Sequence, residues 1–126
     1  MGNTKRILLV DDDDDILSQL ELVIGKEYEV ATAMSGSECL AAVAAQKPDL
    51  IVLDVIMDNL GDGLETAKKL KESPETADIP VIMLTSVNES YDFRTQVDSG
   101  YYPNNRWLDK PVKPDTVLKE IKALIG

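Results

Sequence analysis

Three carboxylate groups stand where short apolar segments end, and their types and positions suggest a cation site. Asp11 and Asp12 directly follow the apolar residues 7–10, and Asp54 follows the apolar residues 50–53. If both segments are strands of one sheet, the three carboxylates converge and repel one another unless a cation lies among them. Oxygen ligands with room for water suit Mg²⁺. Such an ion can hold a phosphoryl group against an attacking carboxylate, and Asp54 is the candidate nucleophile.

A hydroxyl and a lysine follow two further apolar segments. Thr85 comes after residues 81–84, and Lys110 comes shortly after Trp107 and Leu108. A lysine neutralises phosphoryl oxygens and a hydroxyl donates a hydrogen bond to one of them, so this pair suits phosphoryl transfer. The chain contains no histidine, which excludes histidine triads, histidine bases and histidine metal ligands.

The rest of the aspartate run has a structural interpretation. Asp13, Asp14 and Asp15 precede an apolar pattern of helical spacing, so we expect them to cap that helix and complement its dipole. An EF-hand calcium loop is a weaker interpretation, because "DDDDDILSQLE" lacks the glycine that such a loop has at its sixth position.

Strand and helix patterns alternate five times along the chain. Buried strands are predicted from continuous apolar runs and helices from apolar residues at helical spacing. The strands are expected at residues 7–10, 28–32, 50–53, 81–84 and 107–108. The helices are marked by a stop at Gly25, an S-x-x-E capping box at Ser35, the apolar face of Leu64, Ala67 and Leu70, a weak pattern at 88–100, and Pro114. The helix that follows Ser35 is expected to carry Leu40, Val43 and Ala44 inward. This order predicts an α/β fold, a doubly wound parallel sheet with helices on both faces and ligands at the carboxyl ends of its strands.

Length and composition bound the class of protein. The 126 residues are expected to form a single domain, residues 1–126. A net charge of −10 argues against direct nucleic-acid binding, and no apolar stretch is long enough for a membrane span. Cys39 is the sole cysteine, so no disulfide forms, and we expect a cytoplasmic protein.

Four segments together resemble the receiver domain of two-component response regulators, of the chemotaxis-regulator kind. They are "ILLVDDDDDI", "PDLIVLDVIM" with "DGLE" beyond it, "IPVIMLTS" and "WLDKPV". The resemblance implies a flavodoxin-like fold with five strands in the order 2-1-3-4-5. It also implies that a phosphohistidine on a histidine kinase or a histidine phosphotransfer protein supplies the phosphoryl group.

The resemblance assigns roles residue by residue. Asp54 matches the phosphoacceptor. Asp11 and Asp12 match the acid pair that binds Mg²⁺ together with Asp54, and the backbone carbonyl of Ile56 is expected to join them. The protein would then catalyse only its own phosphorylation and a slow dephosphorylation, because apolar β-branched side chains, Ile56 and Val87, flank the path of the hydrolytic water.

Further assignments concern the switch. Thr85 matches the switch hydroxyl and Lys110 the phosphate-contacting lysine, whose bond to Pro111 resembles the family's cis peptide. Trp107 stands where the family has a switch tyrosine or phenylalanine, and it is either a mobile switch or a packed interface residue.

The sequence departs from the family pattern in two places. Met57 is followed by Asp58 where the family has proline, and the loop "DNLGDG" is one residue longer than usual. Residues 86–106 also form a longer segment than usual, containing "SGYYPNN". The longer loop changes the expected contour and charge beside Asp54. In the family, the face built from the fourth helix and fifth strand binds partners, so the unusual residues there imply an unusual partner or a weakened switch.

Two alternatives remain open from the sequence. A phosphatase of the haloacid-dehalogenase type would use Asp11 as the nucleophile of the D-x-D pair that Asp11 and Asp13 form, and Asp54 would have no role. A pseudo-receiver would use the fold for protein binding without phosphorylation. A monomer or weak dimer is expected, and the sequence does not identify the downstream target.

Overall fold

The computed structural model describes residues 4–54, 62–86, 105–110 and 113–126. Strands and helices within these residues alternate along the chain. In chain order they are β1 (Arg6–Val10), α1 (Asp14–Ile24), β2 (Glu29–Ala33), α2 (Gly36–Ala45), β3 (Leu50–Asp54), α3 (Asp62–Glu72), β4 (Val81–Ser86), β5 (Asn105–Lys110) and α4 (Pro114–Ile125). The weak helix expected at 88–100 lies outside the described residues.

The five strands form one parallel sheet in the order β2-β1-β3-β4-β5. This confirms the predicted doubly wound α/β fold and its strand order. Every residue of β3 is buried, and so are the last four residues of β1. Strands covered on both faces carry apolar side chains at consecutive positions, which is why the apolar residues in these segments form continuous runs instead of alternating with polar residues.

Each face of the sheet carries its own apolar core. Side chains alternate between the faces along a strand, so Ile51 and Leu53 enter one core while Leu50 and Val52 enter the other. The helices α2 and α3 pack side by side on the first face, and α1 and α4 pack side by side on the second.

The helix ends follow the predicted capping signals. Ser35 caps α2 by accepting a hydrogen bond from the backbone N–H of Glu38 at 3.1 Å. The Glu38 carboxylate accepts from the N–H of Met34 at 3.0 Å, one residue before the cap. Pro114 begins α4, where a missing N–H costs nothing.

Some sequence expectations were wrong in detail. The strand β5 spans six residues rather than two, and β2 lies one residue later than predicted. Ala44 of α2 was expected to point inward but is exposed, because the buried stripe of this helix runs through Gly36, Cys39 and Val43. The described part of the chain contains no helix with the length and apolarity that a bilayer crossing requires.

Candidate functional site

The sheet register brings Asp11 and Asp54 to neighbouring positions. Val10 of β1 pairs with Leu53 of β3, so the next residue of each chain segment is an aspartate. Asp54 pairs in turn with Leu84 of β4. The two carboxylates therefore leave adjacent parallel strands at the carboxyl edge of the sheet, the edge where ligands bind in doubly wound folds.

Three carboxylates meet at this edge. One oxygen from each of Asp11, Asp12 and Asp54 lies within 4.8 Å of the others. Asp11 is 1 % exposed and Asp54 is 4 % exposed, whereas Asp12 is open to solvent. Three hard oxygen donors with one side facing water fit a Mg²⁺ ion, which binds a few carboxylates and keeps several waters.

The backbone around Asp11 fixes its side chain. Its N–H donates to the carbonyl of Ala33 at 3.1 Å, which ties the strand exit to the end of β2. Its Oδ1 accepts from the N–H of Asp13 at 2.9 Å. This contact of the Asp13 N–H was not predicted, although aspartate side chains at turns typically accept a hydrogen bond from the backbone two residues later.

Asp13 also caps α1, as predicted. Its side chain accepts hydrogen bonds from the N–H groups of Asp15 at 3.0 Å and Ile16 at 3.4 Å. Asp14 and Asp15 lie in the first turn, where negative charge is stabilised by the helix dipole.

The backbone register also gives the strand positions of the other predicted site residues. Thr85 follows Leu84, the partner of Asp54, and pairs with Asp109. Lys110 pairs with Ser86 at the end of β5, while Trp107 pairs with Met83 further inside the sheet. Thr85 and Lys110 thus belong to the carboxyl ends of their strands, as predicted.

Some predicted residues lie outside the described part of the chain. They are Ile56, Val87 and Pro111, together with most of the two atypical segments, the loop after Asp54 and residues 87–104. Their predicted roles stay predictions.

Comparison with known proteins points to one family. A family model described as "Response regulator receiver domain" matches residues 7–122. The chain is 35 % identical over 122 residues to the alkaline phosphatase synthesis transcriptional regulatory protein PhoP of Bacillus subtilis, covering 96 % of this chain and 48 % of that protein. It is 31 % identical to protein PilH of Pseudomonas aeruginosa, covering 96 % of this chain and 98 % of PilH.

Solved structures agree with these relatives. A putative response regulator from Chloroflexus aurantiacus superimposes with a TM-score of 0.83 at 31 % identity, covering 97 % of this chain and 98 % of that one. The chain spans about half the length of PhoP and about a quarter of the regulator PleD of Caulobacter vibrioides, so those relatives contain further regions that this sequence does not match.

Proposed function

Because the chain belongs to the response regulator receiver domain family of two-component systems, we propose that Asp54 is its phosphoacceptor. The observation that carries the proposal is the convergence of Asp11, Asp12 and Asp54 at the carboxyl edge of the sheet. A buried carboxylate beside two others is a poor arrangement for stability alone, because the charges repel at short range. It is a suitable arrangement for binding a divalent ion and a phosphoryl group.

In this proposal Asp11, Asp12 and Asp54 would hold Mg²⁺, with the Ile56 carbonyl as a further ligand. The ion would supply positive charge that offsets the charge of the phosphoryl oxygens. The Asp54 carboxylate oxygen attacks phosphorus, an O–P bond forms, and the P–N bond to the donor imidazole breaks. The Asp13 N–H orients Asp11, so the acid that leaves β1 has one oxygen fixed before any ligand arrives.

The remaining assignments extend the same site. Lys110 contacts the phosphoryl group as a cation, and Thr85 donates to one of its oxygens once Asp54 is phosphorylated. Trp107 transmits the change or packs at an interface. Slow hydrolysis follows if Ile56 and Val87 offer no hydrogen bond to the attacking water.

Receiver domains of response regulators interact with histidine kinases or histidine phosphotransfer proteins. We propose that such a protein is the phosphoryl donor here, in the cytoplasm, and that residues 1–126 act as one receiver domain, monomeric or weakly dimeric. Receiver domains are signalling domains, and the only catalysis proposed is on the protein's own aspartate. Some relatives are DNA-binding regulators. The charge of −10 supports the proposal that this segment does not itself contact DNA.

The structure also bears on the alternatives. The acid run forms a strand-to-helix junction, with β1 before it, rather than the loop between two helices that an EF-hand needs. Asp54 lies in the acid cluster, whereas a phosphatase using Asp11 would leave it without a role.

Phosphorylation with acetyl phosphate tests the proposal. In the presence of Mg²⁺ the protein should gain the mass of one phosphoryl group, and chelation of the metal should prevent the gain. Asp54→Asn should abolish the gain, whereas Asp14→Asn, the same change at an exposed acid in α1, should not. Label on Asp11 in the parent, or an equal gain by Asp54→Asn, would contradict the proposal.

A further inference from the structure

Asp13 forms hydrogen bonds on both sides of the junction between β1 and α1. Its N–H donates to Oδ1 of Asp11 at 2.9 Å. Its own Oδ1 accepts from the N–H groups of Asp15 at 3.0 Å and Ile16 at 3.4 Å. The residue is exposed, and it is not one of the three acids whose oxygens converge in the cluster. Asp13 therefore contacts a proposed metal ligand without being a ligand in that proposal.

The helix to which Asp13 is bonded is held firmly against the sheet. Leu17, Leu20 and Ile24 of α1 are buried in the core on that face. The N–H of Leu17 also donates to the carbonyl of Asp13 at 3.1 Å. Because the side-chain cap ties Asp13 to the first turn of this helix, it fixes the direction in which the Asp13 N–H points.

Asp11 is held from the strand side as well. Its N–H donates to the carbonyl of Ala33 at 3.1 Å, and the residue is buried. One contact thus fixes the backbone of Asp11, and the contact from Asp13 fixes its carboxylate. A ligand that is oriented before the metal arrives loses less conformational freedom on binding, so the affinity for the metal is higher.

We propose that Asp13 is a positioning residue for the metal site. Its carboxylate caps α1, the cap holds the Asp13 N–H against Asp11, and the oriented Asp11 raises the affinity for Mg²⁺. The role rests on the proposed function, in which Asp11, Asp12 and Asp54 would hold the ion. It gives the third aspartate of the run an effect on the metal that needs no contact with it.

The charge of Asp13 is the competing explanation. A carboxylate near the cluster attracts a cation whether or not it caps a helix. Asp13→Asn separates the two effects, because asparagine is as good an N-cap as aspartate but carries no charge. Asp13→Ala removes both the cap and the charge. The contribution of the cap is therefore the difference in Mg²⁺ affinity between these two variants.

The expected size of this difference follows from what remains in Asp13→Ala. Loss of a partner that orients a metal ligand lowers affinity by about 10–100-fold. In Asp13→Ala the backbone N–H is still present, and so is the backbone bond from Leu17, so the orientation is loosened rather than lost. We expect Asp13→Ala to bind Mg²⁺ about three- to tenfold more weakly than Asp13→Asn.

A titration with MgCl₂ followed by backbone amide NMR measures these affinities without any phosphoryl donor. A buffer with 0.15 M KCl limits the reach of exposed charges to about 8 Å. Asp13→Ser, a second neutral cap, should bind Mg²⁺ as Asp13→Asn does. Hydrogen exchange of the residue 13 amide should be faster in Asp13→Ala than in Asp13→Asn, because its hydrogen bond to Asp11 is less well held.

Two further variants separate metal affinity from helix stability. Asp13→Gly lacks the side-chain acceptor but weakens the helix far less than alanine does, and it should bind Mg²⁺ as weakly as Asp13→Ala. Ser35→Ala removes the side-chain cap of α2 instead, and it should leave the Kd for Mg²⁺ unchanged.

The possible results distinguish this role from the proposed function. Equal affinities of Asp13→Ala and Asp13→Asn, or an equal loss in Ser35→Ala, would overturn the positioning role alone. Absence of saturable Mg²⁺ shifts in the parent would overturn the metal site and this role together. At saturating Mg²⁺, Asp13→Ala should still gain one phosphoryl group from acetyl phosphate, and failure to do so would contradict a role confined to positioning a metal ligand.

Discussion

Neutralising one buried acid of the cluster should stabilise the metal-free protein. Asp11 and Asp54 are almost fully buried, and a carboxylate oxygen of one lies within 4.8 Å of an oxygen of the other. At an effective dielectric constant of about 20, two unit charges at that separation repel by about 3.5 kcal/mol. Asp54→Asn keeps the size of the side chain and removes the charge, so the repulsion disappears with little change in packing.

The net gain is smaller than the Coulomb energy. Asp11 also accepts a hydrogen bond from Asp13, and hydrogen bonds to a carboxylate offset part of the repulsion. We expect Asp54→Asn to raise the free energy of unfolding without metal by about 1–2 kcal/mol. For a chain of this length that raises Tm by roughly 4–8 °C.

High concentrations of Mg²⁺ should make the parent more stable than Asp54→Asn. An ion that binds only the folded parent at one hundred times its Kd adds about 2.7 kcal/mol of stability, which exceeds the advantage of about 1–2 kcal/mol expected for the variant. Asp54→Asn should gain less, because one ligand has lost its charge. The assay is thermal unfolding by circular dichroism for both proteins, each in a chelator and across a series of Mg²⁺ concentrations.

Asp14→Asn is the control for removing a negative charge elsewhere. This residue lies in the first turn of α1, where its charge is favourable, so the variant should be slightly less stable at every Mg²⁺ concentration. If Asp54→Asn melts below the parent in chelator, the carboxylates stabilise one another through hydrogen bonds, and the repulsion argument is refuted.

Three further changes test the local structure. Gly25 has a φ of −64°, which alanine adopts without strain. Gly25→Ala should nevertheless lower the free energy of unfolding by about 1 kcal/mol or more, because the new Cβ would lie 2.6 Å from the carbonyl oxygen of Glu21. A stabilised variant would contradict this close contact. Ser35→Ala should cost about 1 kcal/mol in urea unfolding by removing the α2 cap, whereas the exposed Ser37→Ala should be nearly neutral; equal effects would contradict the capping role. Burial raises the pKa of Tyr28, so its contribution to folding stability is fully present below the usual tyrosine pKa and is lost as the pH rises from that pKa to the folded-state pKa. Tyr28→Phe should therefore reduce the loss of stability at alkaline pH. An unchanged loss would contradict the raised pKa of Tyr28.

The sheet was predictable from the sequence because burial on two faces leaves a strong signal. The runs at β1, β3 and β4 are apolar at every position except their polar ends, so both the strands and the polar residues at their exits could be located. Once the strands are parallel and neighbouring, the convergence of Asp11 and Asp54 follows from the register. The strand order came from the family resemblance rather than from this argument.

Contacts that depend on one side chain meeting a distant backbone group left no such signal. Lys71 and Thr76 are examples, because their side chains donate hydrogen bonds to the carbonyl groups of Ala77, Ile79 and Leu70, which no periodic pattern predicts. Gly25 was predicted as a helix stop, but the reason for glycine is the close approach of the Glu21 carbonyl rather than a left-handed backbone. Ala44 was misplaced because a small apolar residue is compatible with either face of a helix.

The five consecutive aspartates have different roles at one strand-to-helix junction, between β1 and α1. Asp11 is buried and faces Asp54, while Asp12 is exposed and completes the cluster. Asp13 serves both sides of the junction, because its N–H orients Asp11 and its carboxylate caps α1. Asp14 and Asp15 then lie where the helix dipole favours negative charge. The backbone N–H groups at the start of α1 thus stabilise part of this charge, and the proposed cation would offset the repulsion among Asp11, Asp12 and Asp54.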